Sequence, residues 1–400
     1  MKKMFTAGSA AVLTAALLAG CQNTGNTVPS EPSAGSADLS QTEITTPWIG
    51  TKNTTRINTS DPVQAAATAS KSLWTATGDN NRPGSVVLVD SENWQVAAAS
   101  ADLIHHPSNG PILFVNKEGV PESTLTELKR LKPKGSESNE GIQVIVVGKV
   151  ADKVHEQLKE LGYKTDRIEG DRPAAVAQAI DSYYAKVSGS TPESVIVGSM
   201  DSPEYTLPAV NWIAHMPEPL LYVKKDEIPD ETVQALATRN GKASIYVIGP
   251  ESAVSKQVEE DLKAYGKVTR ISGSDPYENA VNFAKFKDPA TGFGWGIDSP
   301  GHNFSFLPGD STMLTIAAAP FSHLGKHAPL LFTNKDAMPE SVMKFVMSIQ
   351  PKFETTPTEG PYNHAWITGD EAAISAKGQS EIDDMLEIVP ASGGDAHSGH

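Results

Sequence analysis

Three short runs decide how this chain is read: PILFVNK at Pro111 to Lys117, PLLYVKK at Pro219 to Lys225 and PLLFTNK at Pro329 to Lys335. Each is a continuous apolar strand with a leading proline and a trailing lysine, as expected of a strand buried on both faces of a parallel sheet. A second proline follows ten residues after the first, at Pro121, Pro229 and Pro339, and an acidic residue comes next. Proline in a first turn, with a carboxylate at the positive end of the dipole, predicts a helix start there.

Outward from these runs, two more landmarks recur in the same order. Strands ending in glycine are expected at Val144 to Gly148, Ile245 to Gly249 and Ala365 to Gly369. An amphipathic helix follows each, with apolar spacing at Val154, Leu158 and Leu161, at Val258, Leu262 and Tyr265, and at Ile374, Ile382 and Met385. Gly162 and Gly266 are placed to close the first two of these helices. The third landmark is a short Arg-Ile strand at Arg56, Arg167 and Arg270, with LEIVPASGG at Leu386 to Gly394 where a fourth would fall. Further short apolar runs, SVVLV from Ser85 and SVIVG from Ser194, complete an alternation of strands and helices. The predicted fold class is therefore α/β: three repeated Rossmann-like or flavodoxin-like units with parallel sheets. The expected boundaries are 54–166, 167–269 and 270–390, with a tail at 391–400.

The first residues read as an export segment. Lys2 and Lys3 precede an apolar, small-residue run that ends at the single cysteine of the chain, Cys21. Leu18, Ala19, Gly20 and Cys21 resemble the lipobox of bacterial lipoproteins, which implies a signal peptide at 1–20 and lipidation of Cys21, with palmitate as the acyl group. Residues 21–53 are dominated by Ser, Thr, Asn, Gly and Pro and read as a flexible linker. Removing the two lysines lowers the formal charge from −15 to about −17. That field excludes nucleic acid as a partner, and it requires local cations wherever an anionic polymer is held.

At RISGSDPYENA, Arg270 to Ala280, the chain resembles the second type of cell-wall-binding repeat of Gram-positive surface proteins, whose pattern is Arg-Ile-Ser-Gly-x-Asp-Arg-Tyr-x-Thr-Ala. RIEGDRPAAVA from Arg167 and RINTSDPVQAA from Arg56 are weaker copies. The resemblance covers about residues 54 to 390. It departs at the helix starts NWQVAAAS (Asn93), EYTLPAVN (Glu204) and DSTMLTIA (Asp310), of which only the third keeps the family's aspartate. It implies three units packed with approximate threefold pseudo-symmetry that bind an anionic cell-wall polymer or peptidoglycan-associated glycan non-covalently. The implied place is the extracytoplasmic face of the cell membrane, lipid-anchored and reaching into the wall.

For ligand contact the repeated cations are the candidates: Lys117, Lys225 and Lys335 just past strand ends, and Arg56, Arg167 and Arg270, for which inter-unit ion pairing is the competing role. Asp61 and Asp275 fit helix caps. His105, His106, His215 and His323 lie near expected helix ends, where an imidazole favours the negative pole. The segment Gly292 to Asp310 reads as an insertion whose Trp295, Phe304 and Phe306 either stack on sugars or cover a neighbouring unit. No catalytic motif, cofactor or metal site is expected. His155-Glu156 is followed by Lys159 where a zinc-protease motif needs histidine. A monomer is expected, since three units in one chain satisfy the arrangement internally. The competing functions are a solute-binding lipoprotein of a transport system and a wall hydrolase with an unfamiliar site.

Overall fold

A computed structural model of the chain describes residues 48–393. The PILF-type runs form strands Ile112–Val115, Leu220–Val223 and Leu330–Thr333, buried along their whole length. Each lies at one side of a parallel sheet. The first sheet runs in the order Ile112–Val115, Val86–Asp90, Val144–Val147, Thr165–Ile168. The second runs Leu220–Val223, Ser194–Ser199, Ala243–Ile248, Gly266–Ile271. The third runs Leu330–Thr333, Asn303–Pro308, His364–Thr368, and its fourth parallel strand is Thr54–Ile57 from the other end of the described chain. The strand order is the same in all three, as is the direction of pairing.

The sheets are linked in a ring. Strand Thr54–Ile57 completes the third sheet, and the next helix, Pro62–Leu73, packs on the first. Thr165–Ile168 completes the first sheet, and helix Pro173–Ser188 packs on the second. Gly266–Ile271 completes the second, and helix Pro276–Lys285 packs on the third. The boundaries expected at 166/167 and 269/270 fall inside strands, because Thr165–Ile168 and Gly266–Ile271 pair with the strands before them, Val144–Val147 and Ala243–Ile248.

Other expectations shift for local reasons. The prolines at 121, 229 and 339 are N-caps with ψ of 154°, 146° and 150°, so each helix starts one residue later, at the carboxylate. An extended ψ cannot belong to a helical turn. Residues 48–53 are bound, not linker: Trp48–Gly50 adds an antiparallel edge strand, and Asn53 donates its backbone N–H to Asp383 (2.7 Å). Val389–Pro390 pairs with Lys352–Phe353 and joins none of the three main sheets. Phe304 and Phe306 are not insertion residues; they lie fully buried in strand Asn303–Pro308. Leu161, placed on the apolar face of its helix, is exposed. Gly266 opens a strand, and a Cβ there would stand 1.9 Å from the carbonyl oxygen of Ala243. Residues 1–47, with the expected signal peptide, Cys21 and most of the linker, lie outside the described residues, as do 394–400. Among the described residues no helix is long and apolar enough to cross a membrane.

Helices Trp94–Ser100, Pro208–Ile213 and Thr312–Ala318 pack on one another where the three sheets meet. Alanines make the close approach possible: Ala97, Ala98, Ala209, Ala317 and Ala318 are fully buried. Polar groups stitch the junction, with the Asn211 amide donating to the carbonyl of Ala328 (2.9 Å) and the Tyr222 hydroxyl to that of Gln95 (2.6 Å). Phe293 and Trp295 of the insertion pack on residues of the second sheet and its helices, whereas Gly301 and His302 donate to Asn363 beside the third. Phe293 stacks on Tyr246 at 3.7 Å, and Trp295 meets Trp212 edge-on at 5.0 Å. Also buried at this junction is Asp102, whose carboxylate oxygens have no hydrogen-bond partner among the described residues. Burial, and then the charges of Asp181 and Glu218, push its pKa well above the usual range.

Two predictions follow from this packing. Arg56 is fully buried and donates to Gln379 Oε1 (2.8 Å) and to the Gly369 carbonyl (2.8 Å), so it holds the closing strand in place. Arg56→Ala is expected to destabilise by about 2–4 kcal/mol because buried acceptors lose their donors. Arg167→Ala, at an exposed side chain, should cost less than about 0.5 kcal/mol; equilibrium denaturation compares the two. An acid whose pKa is raised in the fold binds more protons there, so its penalty grows as pH rises above the unfolded value. Asp102→Asn is therefore expected to match the parent in acid and to gain relative stability as pH rises from about 4 towards neutrality, read from denaturation midpoints across pH.

Candidate functional site

In a doubly wound sheet of this order, ligands are received beyond the carboxyl ends of the strands, where the winding reverses. The third sheet has a cleft of about 460 Å³ at that place, lined by Pro308, Gly309, Asp310, Asn334, Lys335 and Tyr277. Tyr277 reaches it from helix Pro276–Lys285, whose N-cap is Asp275, as its sequence position suggested: Asp275 Oδ1 accepts from Glu278 N–H at 2.8 Å. The Tyr277 hydroxyl donates to Asn334 Oδ1 (2.7 Å) and so spans the cleft. In the first sheet the corresponding cleft is about 120 Å³, lined by Asp90, Asn93, Gly148, Lys149 and Arg172. Its cations are already engaged, Lys149 with Asp171 (3.1 Å) and Arg172 with Glu231 (2.5 Å). Tyr277 and Asn334 are absent from the sequence candidates, although Tyr277 lies in RISGSDPYENA and Asn334 in PLLFTNK, runs that were read for resemblance and for strand pattern.

The three candidate lysines stand exposed beyond their strands, one to each sheet, and the structure does not bring them together. None forms an ion pair among the described residues. In two of them the backbone is tied down: the carbonyls of Lys225 and Lys335 accept from the N–H groups of Ser255 (2.9 Å) and Ser375 (2.8 Å). These serines cap helices Lys256–Leu262 and Ala376–Leu386.

The arginines divide two to one. Arg270 repeats the pattern of Arg56, donating to the Gly249 carbonyl (2.8 Å), the Val254 carbonyl (2.9 Å) and Glu259 (2.7 Å). In both places the guanidinium fork is filled by the turn that follows the glycine-ended strand. Arg56 and Arg270 are thus scaffold, and their donors are not available to a polymer. Arg167 is exposed and lies only loosely against Glu169, at 3.8 Å. The difference starts at Gly148: its helix begins at Asp152, four residues on, whereas Gly249 and Gly369 precede theirs by seven.

A third feature lies at the helix junction. His105, His215 and His323, each just past the end of one junction helix, converge so that one ring nitrogen of each lies within 4.8 Å of the others. His105 stacks on His106, with centroids 4.3 Å apart, and His327 stands edge-on to His215 at 4.2 Å. Burial, then the neighbouring His327 and His105, hold His215 down at about 4. Burial and four neighbouring histidines hold His323 at about 3. The sequence reading put these residues at helix ends and did not foresee that they meet. Their recurrence before each PILF-type strand was the available signal.

No family model matches the chain. Over 227 residues, 52% of this chain, it is 27% identical to the N-acetylmuramoyl-L-alanine amidase LytC of Bacillus subtilis (strain 168), and the match spans 42% of that protein. It is 24% identical over 225 residues to the amidase enhancer of the same organism, a match covering 56% of this chain and 28% of the enhancer. The chain thus spans less than half the length of the curated relatives it matches. Among solved structures its fold is similar to those of Cwp6 and Cwp8 from Clostridium difficile, with TM-scores of 0.66 and 0.63 at 20% and 18% identity. Each covers 84% of this chain, which in turn covers 48% and 51% of theirs.

Proposed function

We propose that this chain is a cell-wall-associated binding protein: a membrane-anchored lipoprotein that holds an anionic wall polymer or peptidoglycan-associated glycan through three units about an approximate threefold axis. The observation that carries this reading is the partial match to two proteins of different named roles. About half of this chain matches an amidase, and about half matches an amidase enhancer, each time as a minority of the relative. A module common to proteins with such different roles is more economically a binding element than the catalytic part of either. The shared strand order of the three sheets supports a repeated unit, and the exposed, unpaired Lys117, Lys225 and Lys335 supply one cation per unit at the ligand-receiving edge. Arg167 adds a fourth accessible cation, and the Tyr277-lined cleft offers a ring face for sugar stacking. A solute-binding lipoprotein would be expected to show two lobes around a hinge, whereas the described residues form one compact unit with three main parallel sheets. In this reading the chain is not an enzyme and functions as a monomer.

Replacing Lys117, Lys225 and Lys335 together by Gln is expected to weaken co-sedimentation with purified cell walls by at least about tenfold, with parent binding falling as salt rises through 0.1–0.15 M, where charges are screened over about 8–10 Å. Replacing Lys153, Lys256 and Lys344 should have little effect; equal loss in both triple variants would remove the lysines from the contact surface. For the anchor, Cys21→Ser is expected to move the protein from the detergent phase to the aqueous phase or leave an uncleaved precursor. Unchanged partitioning would overturn lipidation.

A further inference from the structure

We propose that His105, His215 and His323 form a binding site for one divalent transition-metal ion, zinc being the best match, at the junction of the three sheets. The three imidazoles come from positions about 110 residues apart, so a local sequence accident does not bring them together. His105 and His323 have ring centroids 4.7 Å apart, and His105 and His215 5.9 Å.

The hydrogen bonds around the rings leave each imidazole a nitrogen with a free lone pair. Nδ1 of His105 lies 2.7 Å from the carbonyl oxygen of His215, an acceptor, so that nitrogen carries the proton and Nε2 has the lone pair. Nε2 of His323 faces the side-chain oxygen of Asn109 at 2.9 Å, which leaves Nδ1 unprotonated. Nδ1 of His215 is buried with no hydrogen-bond partner among the described residues. Metal-binding histidines show this arrangement, the far ring nitrogen donating to a carbonyl or side-chain oxygen that fixes the tautomer. Burial keeps the His215 and His323 imidazoles neutral at physiological pH, the form that coordinates.

One feature of the surroundings agrees. A cleft of about 300 Å³ is lined by Trp295, His302, Lys326 and His327, and two of these rings, Trp295 and His327, pack against His215. In a tetrahedral zinc site, nitrogens at 2.0–2.1 Å from the metal stand about 3.3 Å from one another, so the rings close by roughly an ångström on binding. All-imidazole ligation suits zinc, copper and nickel and disfavours magnesium and calcium. The fourth position falls to water or His327. The metal would act as a clasp between units distant in sequence, independent of wall binding.

The test is cobalt(II) titration of the purified chain after chelator treatment, followed by displacement with zinc and measurement of bound metal. Expected are one equivalent per chain, tetrahedral ligand-field bands, and an unfolding midpoint raised by a few degrees with zinc. His215→Ala and, separately, His105→Gln should each bind at least about tenfold more weakly. The His397→Ala, His400→Ala double variant, which lacks the histidines near the C-terminus, should bind like the parent. The proposal is overturned if the parent takes up no stoichiometric metal, if both junction variants bind undiminished, or if the tail variant loses the bands. Circular dichroism of each variant separates loss of ligand from loss of fold, and the parent's spectrum decides the question even where a variant does not fold.

Discussion

Closure of the third sheet by strand Thr54–Ile57 is the contact on which the rest of the architecture depends. Without this strand, His364–Thr368 would lose the hydrogen-bonding partner on one side, and its backbone groups there would have to find others. The strand is brought from the opposite end of the described chain, in register from Thr54 against Ala365 to Ile57 against Thr368. Once it is seated, the helix that follows is committed to the first sheet, and the same handover is repeated twice round the ring. Arg56 secures the insertion from inside, with its guanidinium bound to the turn and helix beyond its partner strand.

Much of this was legible in the sequence, because the information was local. The PILF-type runs, the glycine-ended strands and the helices after them are set by hydrophobic period and by caps, and they stand where the spacing put them. Sheet membership was not legible. An Arg-Ile strand has the same local pattern whether it pairs backwards or forwards, so the unit boundaries were drawn one strand too early. Phe304 and Phe306 were assigned to an insertion because an extended glycine-rich approach hides the start of strand Asn303–Pro308. The site was read less fully than the fold. The exposed lysines were visible as a recurrence, while the Tyr277–Asn334 bridge and the histidine trio depend on contacts between residues 57 or more positions apart. No single-sequence period encodes such contacts.

The three main sheets share a strand order and differ in finish. Arg56 and Arg270 are clamped by a seven-residue connection, while the shorter connection after Gly148 leaves Arg167 in solvent. The cleft of the third sheet is several times the volume of the first, whose cations are paired within the protein. One strand order therefore presents unequal chemical surfaces, and the cleft of the third sheet, lined by Lys335, which has no ion pair among the described residues, and by Tyr277, is the more open of the two.

The ring also sets an order of events during synthesis. Thr54–Ile57 leaves the ribosome early, yet the Gly369 carbonyl that receives Arg56 is made 313 residues later. Until then the strand has no edge to join, and helix Pro62–Leu73 can dock on the first sheet while its own leading strand hangs free. Such a non-local pairing is slow to form and leaves an unpaired strand edge and apolar side chains exposed in the interval. The first two sheets can assemble as the chain emerges, whereas the third is completed only near the end, which makes its closure the committing step for the whole molecule.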